Sequence, residues 1–157
     1  ACGTAYNVPL QDMMYALDNA LNEGYSVAWA TDVSEKGFSL RNGVAIVPAK
    51  DYAEMTKAER EAMFDGPKEE KEITQENRQL AYDNYETTDD HGMLITGMVK
   101  DQEGNIYYIV KNSWGARDND FRSGYINASR AFVAYKSIGI MMHKDALPKA
   151  LRKKLNI

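Results

Sequence analysis

The chain has 157 residues, a one-domain length at which a compact fold buries roughly 70% of its unfolded surface. Hydrophobic residues make up 44% and charged residues 27%, near the globular average, which excludes wholesale disorder and fibrous repeats. Nineteen Lys plus Arg against twenty-three Asp plus Glu give a net charge of −4, so a nucleic-acid partner, which requires clustered cations, is not expected. No apolar run approaches the roughly eighteen residues of a membrane span, so no membrane partner is expected either, and Ala1-Cys2-Gly3-Thr4 lacks the character of a secretory signal. Cys2 is the sole cysteine; it can form no internal disulfide and is compatible with a reducing, cytoplasmic compartment.

From the amino terminus, Leu10, Met13, Met14, Leu17, Ala20 and Leu21 recur at three-and-four spacing, which predicts an amphipathic helix ended by Gly24. Tyr25 to Ala30 then reads as a strand carrying Trp29. From Phe38 the character changes. Residues 50–90 hold thirteen acids and six bases, net −7, and the stretch of about 38–88 reads as a charged, partly helical insertion, with solvated faces as the default for its charges. Thr56-Lys57-Ala58-Glu59 is a capping-box pattern for a helix to about Phe64, and Thr74 can cap another through Tyr82, with Leu80, Ala81 and the tyrosines facing inward.

After Asp90 the pattern turns to β. Gly92 to Val99 and Ile106 to Val110 flank a turn containing Gly104 and predict a β-hairpin. Gly124 to Asn127 and Phe132 to His143 read as further strands, and Pro148 opens a short basic helix, Lys149 to Leu155, before Ile157. Lys149, Arg152, Lys153 and Lys154 there suit the negative pole of the helix dipole. His143 reads as a surface or capping residue, and the eight methionines mostly as core filler.

The hairpin brings together two chemically distinctive sequences. Asp90-His91-Gly92 precedes one arm and Lys111-Asn112-Ser113-Trp114-Gly115 follows the other, so His91 and Asn112 fall at the same open end. A histidine acting as proton carrier needs its second ring nitrogen held by an acceptor, and an amide oxygen does this without adding a charge. That neutral orienter suits a thiolate–imidazolium pair, in which sulfur is already ionised. Adjacent Asp89 and Asp90 point apart as neighbours do, and read as solvent groups raising the basicity of His91. By themselves a histidine and an asparagine also read as a core residue and a turn residue; their surroundings decide otherwise.

Those surroundings resemble the papain-like cysteine peptidases. Asp90-His91-Gly92 stands where that superfamily has its catalytic histidine, Lys111-Asn112-Ser113-Trp114-Gly115 matches its asparagine motif, and Gly124-Tyr125-Ile126 matches the step that follows. The finer resemblance, through Val33 to Phe38, the charged stretch up to Thr87-Thr88-Asp89-Asp90-His91, and Ser129 to Val133, is to the bleomycin hydrolase and aminopeptidase C branch. It implies an α+β fold: residues 1–157 as the carboxyl-terminal, β-rich half-barrel lobe of a papain-like peptidase with a helical charged insertion.

The same resemblance implies His91 and Asn112 as catalytic residues, Trp114 as a shield over their contact, and the Ile157 carboxylate as a cleft terminus that attracts a substrate ammonium, although Arg152-Lys153-Lys154 departs from the expected ending. It also implies a homohexamer acting on peptide substrates, without metal or organic cofactor. The family's glutamine and cysteine–tryptophan motif is absent. Cys2 has neither the upstream glutamine nor the aromatic neighbour of that nucleophile and reads as incidental, so the thiol is expected from an amino-terminal lobe of the same polypeptide, and this chain alone is expected to be inactive. The alternative is a non-catalytic pseudo-peptidase used as an interaction module; the reading frame upstream of Ala1 distinguishes the two.

Overall fold

The computed structural model describes residues 5–116 and 123–157; Cys2 lies outside them. Helix α1, Leu10–Asn22, follows the anticipated stripe, with Met13, Met14, Ala16, Leu17 and Ala20 buried. Gly24 reverses the chain at φ +82° into strand β1, Val27–Thr31. Two short strands come next, β2 at Phe38–Ser39 and β3 at Val44–Ala45. Helices α2, Lys57–Glu61, and α3, Gln75–Asp83, each begin with a complete capping box, from Thr56 and Glu59 and from Thr74 and Asn77. The hairpin is β4, His91–Lys100, and β5, Ile106–Asn112. Strand β6, Tyr125–Ser129, helix α4, Arg130–Lys136, strand β7, Ser137–Met141, and helix α5, Lys149–Leu155, complete the chain.

Among the described residues the strands form one seven-stranded sheet in the order β2-β3-β6-β5-β4-β1-β7. It is antiparallel except where β3 runs parallel to β6. Alternation along the strands assigns one face to the interior: Val27, Trp29 and Thr31 on β1, His91, Met93 and Ile95 on β4, Tyr108, Val110 and Asn112 on β5 are all buried. Leu17, Ala20, Phe132 and Val133 of α1 and α4 belong to the same apolar core. The face is therefore apolar at its centre and polar at one rim, where Thr31, His91 and Asn112 sit. Trp29 is a core residue whose indole N–H donates to Ser137 Oγ at 2.7 Å, as a buried indole requires.

Two expectations need correction. Residues 132–136 form the end of α4 and not a strand, because Ser129 at the end of β6 accepts from the Phe132 N–H at 3.0 Å and starts a helix. This helix returns the chain to the far edge of the sheet. Leu80 is 63% exposed, and Tyr82 and Tyr85 are exposed with it; only Ala81 of that group is buried. The nine-residue α3 inserts Ala81 into the contact, donates to Ala134 O of α4 through Arg78 Nη1 at 3.1 Å, and turns Leu80 and Tyr82 outward.

The charged stretch is partly woven into the structure. Phe38, Leu40, Val47 and Ile73 pack on the main core, and Ile46, Met55 and Met63 form a second cluster. Glu70 anchors it from within, one carboxylate oxygen accepting from the Val47 N–H at 2.7 Å and from Ser129 Oγ at 2.6 Å. Burial pushes the Glu70 carboxyl up, more than these bonds lower it. Nearby, Tyr108, Asp18 and Arg130 tie β5, α1 and α4 together, with Tyr108 OH 2.6 Å from Asp18 Oδ1 and Arg130 Nη1 2.7 Å from Asp18 Oδ2. Among the described residues no helix is long and apolar enough to cross a membrane.

Two stability measurements check this packing. Leu17→Ala, at a position with no exposed surface, should cost about 2–5 kcal/mol in denaturant unfolding, whereas Leu80→Ala should stay within about 0.5 kcal/mol of the parent; equal effects would contradict the assigned faces. A carboxyl raised on folding contributes stability below its unfolded value of about 4.3 and loses it as pH rises through the folded value. Glu70→Gln, which keeps the acceptor, should therefore unfold at an equal or higher urea concentration than the parent at pH 8, and that advantage should shrink toward pH 4.

Candidate functional site

Sheet register assembles the site. Asn112 pairs with Met93 across β4 and β5, and His91 lies two residues before Met93 on the same strand, so His91 and Asn112 are diagonal neighbours on one face. On its other side His91 pairs with Thr31 of β1. The side chains meet with His91 Nε2 2.7 Å from Asn112 Oδ1, and both residues are buried.

The proton assignment follows from what surrounds the amide. The Trp114 backbone N–H also points at Asn112 Oδ1, at 3.3 Å, so that atom is an oxygen accepting two hydrogen bonds; in the flipped amide an NH₂ would face a donor. His91 Nε2 must then carry the proton and donate it, which leaves Nδ1 as the nitrogen able to exchange a proton. Asn112 Nδ2 is buried with no partner among the described residues. The backbone of Asn112 is fixed too, its N–H donating to Gly124 O at 2.8 Å.

Trp114 stacks on His91 with ring centroids 4.0 Å apart and a 35° tilt, while remaining 45% exposed. It thus covers the imidazole from solvent with one face. The turn that carries it is possible because Gly124 runs directly beneath: a Cβ there would stand 2.8 Å from Gly115 O, and Gly124 is at φ +91°. A recess lined by Gly92, Leu94, Lys111, Ser113 and Gly115 reaches Asn112 but not His91.

The structure thus brings His91, Asn112 and Trp114 together, as the motif spacing suggested. Ile157 ends α5, its N–H donating to Arg152 O at 3.0 Å, and no hydrogen bond joins it to His91 or Asn112; α5 itself is held to α1 by Lys154 Nζ and Asp12 Oδ2 at 2.5 Å. His143 is an exposed capping residue that accepts from the Asp145 N–H and stacks on Tyr25.

Asp89 and Asp90 have different fates. Both are exposed, and Asp90 in addition holds the loop after β1, accepting from the Val33 N–H at 2.9 Å and from Ser34 Oγ at 2.5 Å. Its carboxylate is thereby engaged by that loop while still facing solvent. Burial pushes the Asp90 carboxyl up, but the bonds from Ser34 and Val33 outweigh it and hold it below the usual carboxylate range. Asp32, fully absent from the sequence reading, makes the reciprocal link, accepting from the Ser34 N–H and from the Thr88 N–H, each at 2.8 Å. No local pattern marks Asp32, because its partner Thr88 lies 56 positions away.

The assignment of the histidine proton has a spectroscopic consequence. Long-range ¹H–¹⁵N correlation of histidine-labelled protein above the imidazole pKa should show His91 as the Nε2–H tautomer, and Asn112→Ala should release it toward a mixture. A pure Nδ1–H pattern in the parent would reverse the assignment.

The sequence profile of the Peptidase C1-like family matches residues 3–157. No curated protein sequence matches the chain. Among solved structures, PepW from Lactobacillus rhamnosis superposes with a TM-score of 0.64 at 20% identity, over 96% of this chain and 30% of PepW. The bromelain protease from Ananas comosus gives a TM-score of 0.42 at 20% identity, over 85% of this chain and 45% of bromelain. The chain spans less than a third of the length of PepW. With nearly its entire length matched and a polar histidine–asparagine rim on an α+β sheet, the chain belongs to the Peptidase C1-like family of cysteine peptidases and has the papain-like fold of their β-rich lobe.

Proposed function

We propose that the chain is the carboxyl-terminal portion of a cysteine aminopeptidase of the bleomycin hydrolase and aminopeptidase C branch, supplying the acid–base histidine and its orienting asparagine to a thiol carried by an amino-terminal lobe of the same polypeptide. The observation that carries this reading is the 2.7 Å contact between His91 Nε2 and Asn112 Oδ1, which commits one ring nitrogen and leaves the other to a partner. Family membership supports cysteine peptidase chemistry, and the charged segment of about 38–88 supports the branch.

In the proposed reaction the thiolate attacks the scissile carbonyl carbon. A C–S bond forms, the C–N bond breaks, and the imidazolium proton of His91 passes to the leaving amine. Water then adds to the acyl carbon, His91 removes its proton, and the C–S bond breaks to return the thiolate. Asn112 keeps the ring oriented through both steps, and Trp114 excludes water from the hydrogen bond that does so. The carboxylate of Ile157 would hold the free ammonium of the substrate and limit cleavage to the amino-terminal end, within a cytoplasmic homohexamer. A pseudo-peptidase gains no support from the site: an interaction module has no need of an imidazole with one nitrogen fixed.

The test is turnover of an aminoacyl fluorogenic amide by the full polypeptide that carries this chain. His91→Ala should lower kcat by about 10³–10⁴, and Asn112→Ala, which only misplaces the ring, by about a hundredfold. The 157-residue chain alone should turn over nothing; activity in it that disappears with Cys2→Ala would overturn the division of labour between lobes.

A further inference from the structure

Of the eight buried polar and charged residues among those described, Asn112 faces His91 and Ser129 caps α4, and the other six, Thr31, Asp32, Thr87, His91, Lys136 and Ser137, gather where β1 ends, β4 begins and α4 passes into β7. Lys136 is the centre of that group. Its side chain is only 5% exposed, and its ammonium forms an ion pair with Glu35 while donating to Glu86 O at 2.8 Å and to Thr87 Oγ1 at 3.1 Å. Its backbone carbonyl accepts from Thr31 Oγ1 at 2.9 Å and from the Asp32 N–H at 3.1 Å. One residue therefore binds both the segment leaving β1 and the segment arriving at β4, and Thr31 is the residue paired with His91.

We propose that Lys136 is a positioning residue for His91, its carbonyl holding Thr31 and Asp32 and its buried ammonium clamping Glu35 to residues 86–87, so that the imidazole is held at the angle its reaction requires. The inference rests on the reading of His91 as the acid–base group. Lys136 touches no reacting atom; it acts through backbone placement. Glu35 is its side-chain counter-ion; the other charges acting on Glu35 are Asp32 and Glu86, Asp32 being occupied by the N–H groups of Ser34 and Thr88, and the ammonium also lies 4.8 Å from the centroid of the Tyr135 ring. An uncharged side chain of similar length would fill the space and keep the carbonyl contacts to Thr31 and Asp32, but would lose the hold on Glu35 and on residues 86–87.

The experiment uses the full polypeptide and compares Lys136→Met, Thr87→Val and His91→Ala. For each variant it measures kcat and KM on the aminoacyl amide and the pH profile of alkylation of the nucleophilic thiol, which reports the thiolate–imidazolium pair. Lys136→Met should lower kcat about tenfold or more, leave KM within about twofold, and displace the alkylation profile. A folded Lys136→Met enzyme with the parental kcat and profile overturns the inference. Should that variant fail to fold, Thr87→Val, which removes one of the ammonium's acceptors, decides: a kcat lowered several-fold with a displaced profile supports the role, and a parental profile overturns it. Full activity in His91→Ala would instead sink the reading of His91, so the two failures are distinguishable.

Discussion

The hydrogen bond between His91 and Asn112 exists because β4 and β5 pair in one register. Side chains alternate between faces with a period of two, so a slip of a single residue would send His91 to the opposite face while Asn112 stayed in the interior. The register is fixed by the same alternation that forms the core: Met93, Ile95, Tyr108 and Val110 cannot be exposed together without losing the apolar face. The polar pair is thus placed by apolar residues further along its own strands. No special interaction has to find the histidine; burying Ile95 and Val110 delivers it.

Delivery to a buried rim has a consequence for every polar atom there. A buried donor or acceptor left alone costs about 1–3 kcal/mol, so the environment of His91 is built from groups that satisfy one another. Asn112 Oδ1 accepts twice, Asp32 and Asp90 accept from backbone and hydroxyl groups of the adjoining loops, and Lys136 saturates its ammonium. At this rim Asn112 Nδ2 is the exception; among the described residues Asn127 Oδ1, on β6, is the other buried side-chain atom without a partner. Such a network rigidifies what it surrounds, since each member's rotamer is fixed by several partners.

Much of this was legible in the sequence, for reasons that differ by element. The helix of Leu10 to Leu21 and both capping boxes were readable because their signals are local: a 3.6-residue stripe, a hydroxyl three residues before its partner. The hairpin was readable because its turn and both arms are contiguous, and with it the meeting of His91 and Asn112. Residues 132–136 were misread because Phe132, Val133 and Tyr135 suit a strand by composition; the deciding event, Ser129 capping the Phe132 N–H, depends on where β6 ends. The exposed Leu80 was misread because a nine-residue helix offers too few turns for its stripe to show which side meets the core. Lys136 and Asp32 carry no motif at all. Their roles arise mainly from contacts between residues separated by 49 positions or more, which no spacing rule encodes.

Those long-range contacts explain how so long a segment can separate β1 from β4 without disturbing the site. Residues 32–90 leave β1 beside Thr31 and return to β4 beside His91, its register partner, so both ends of the excursion lie at one point, while β2 and β3 within it rejoin the sheet at β6. Loop closure grows only slowly with length, by about 0.6 kcal/mol per doubling, so the cost of the excursion is set at its base and hardly by its extent. At that base Asp32 reaches Thr88, Asp90 reaches Val33 and Ser34, and Lys136 reaches both sides. The stem is closed by charges and backbone groups, where apolar contacts would have required side chains the rim has no room to bury. The buried Lys136, with Asp32 and Asp90, fixes the base of this charged segment beside a site whose geometry the sheet dictates.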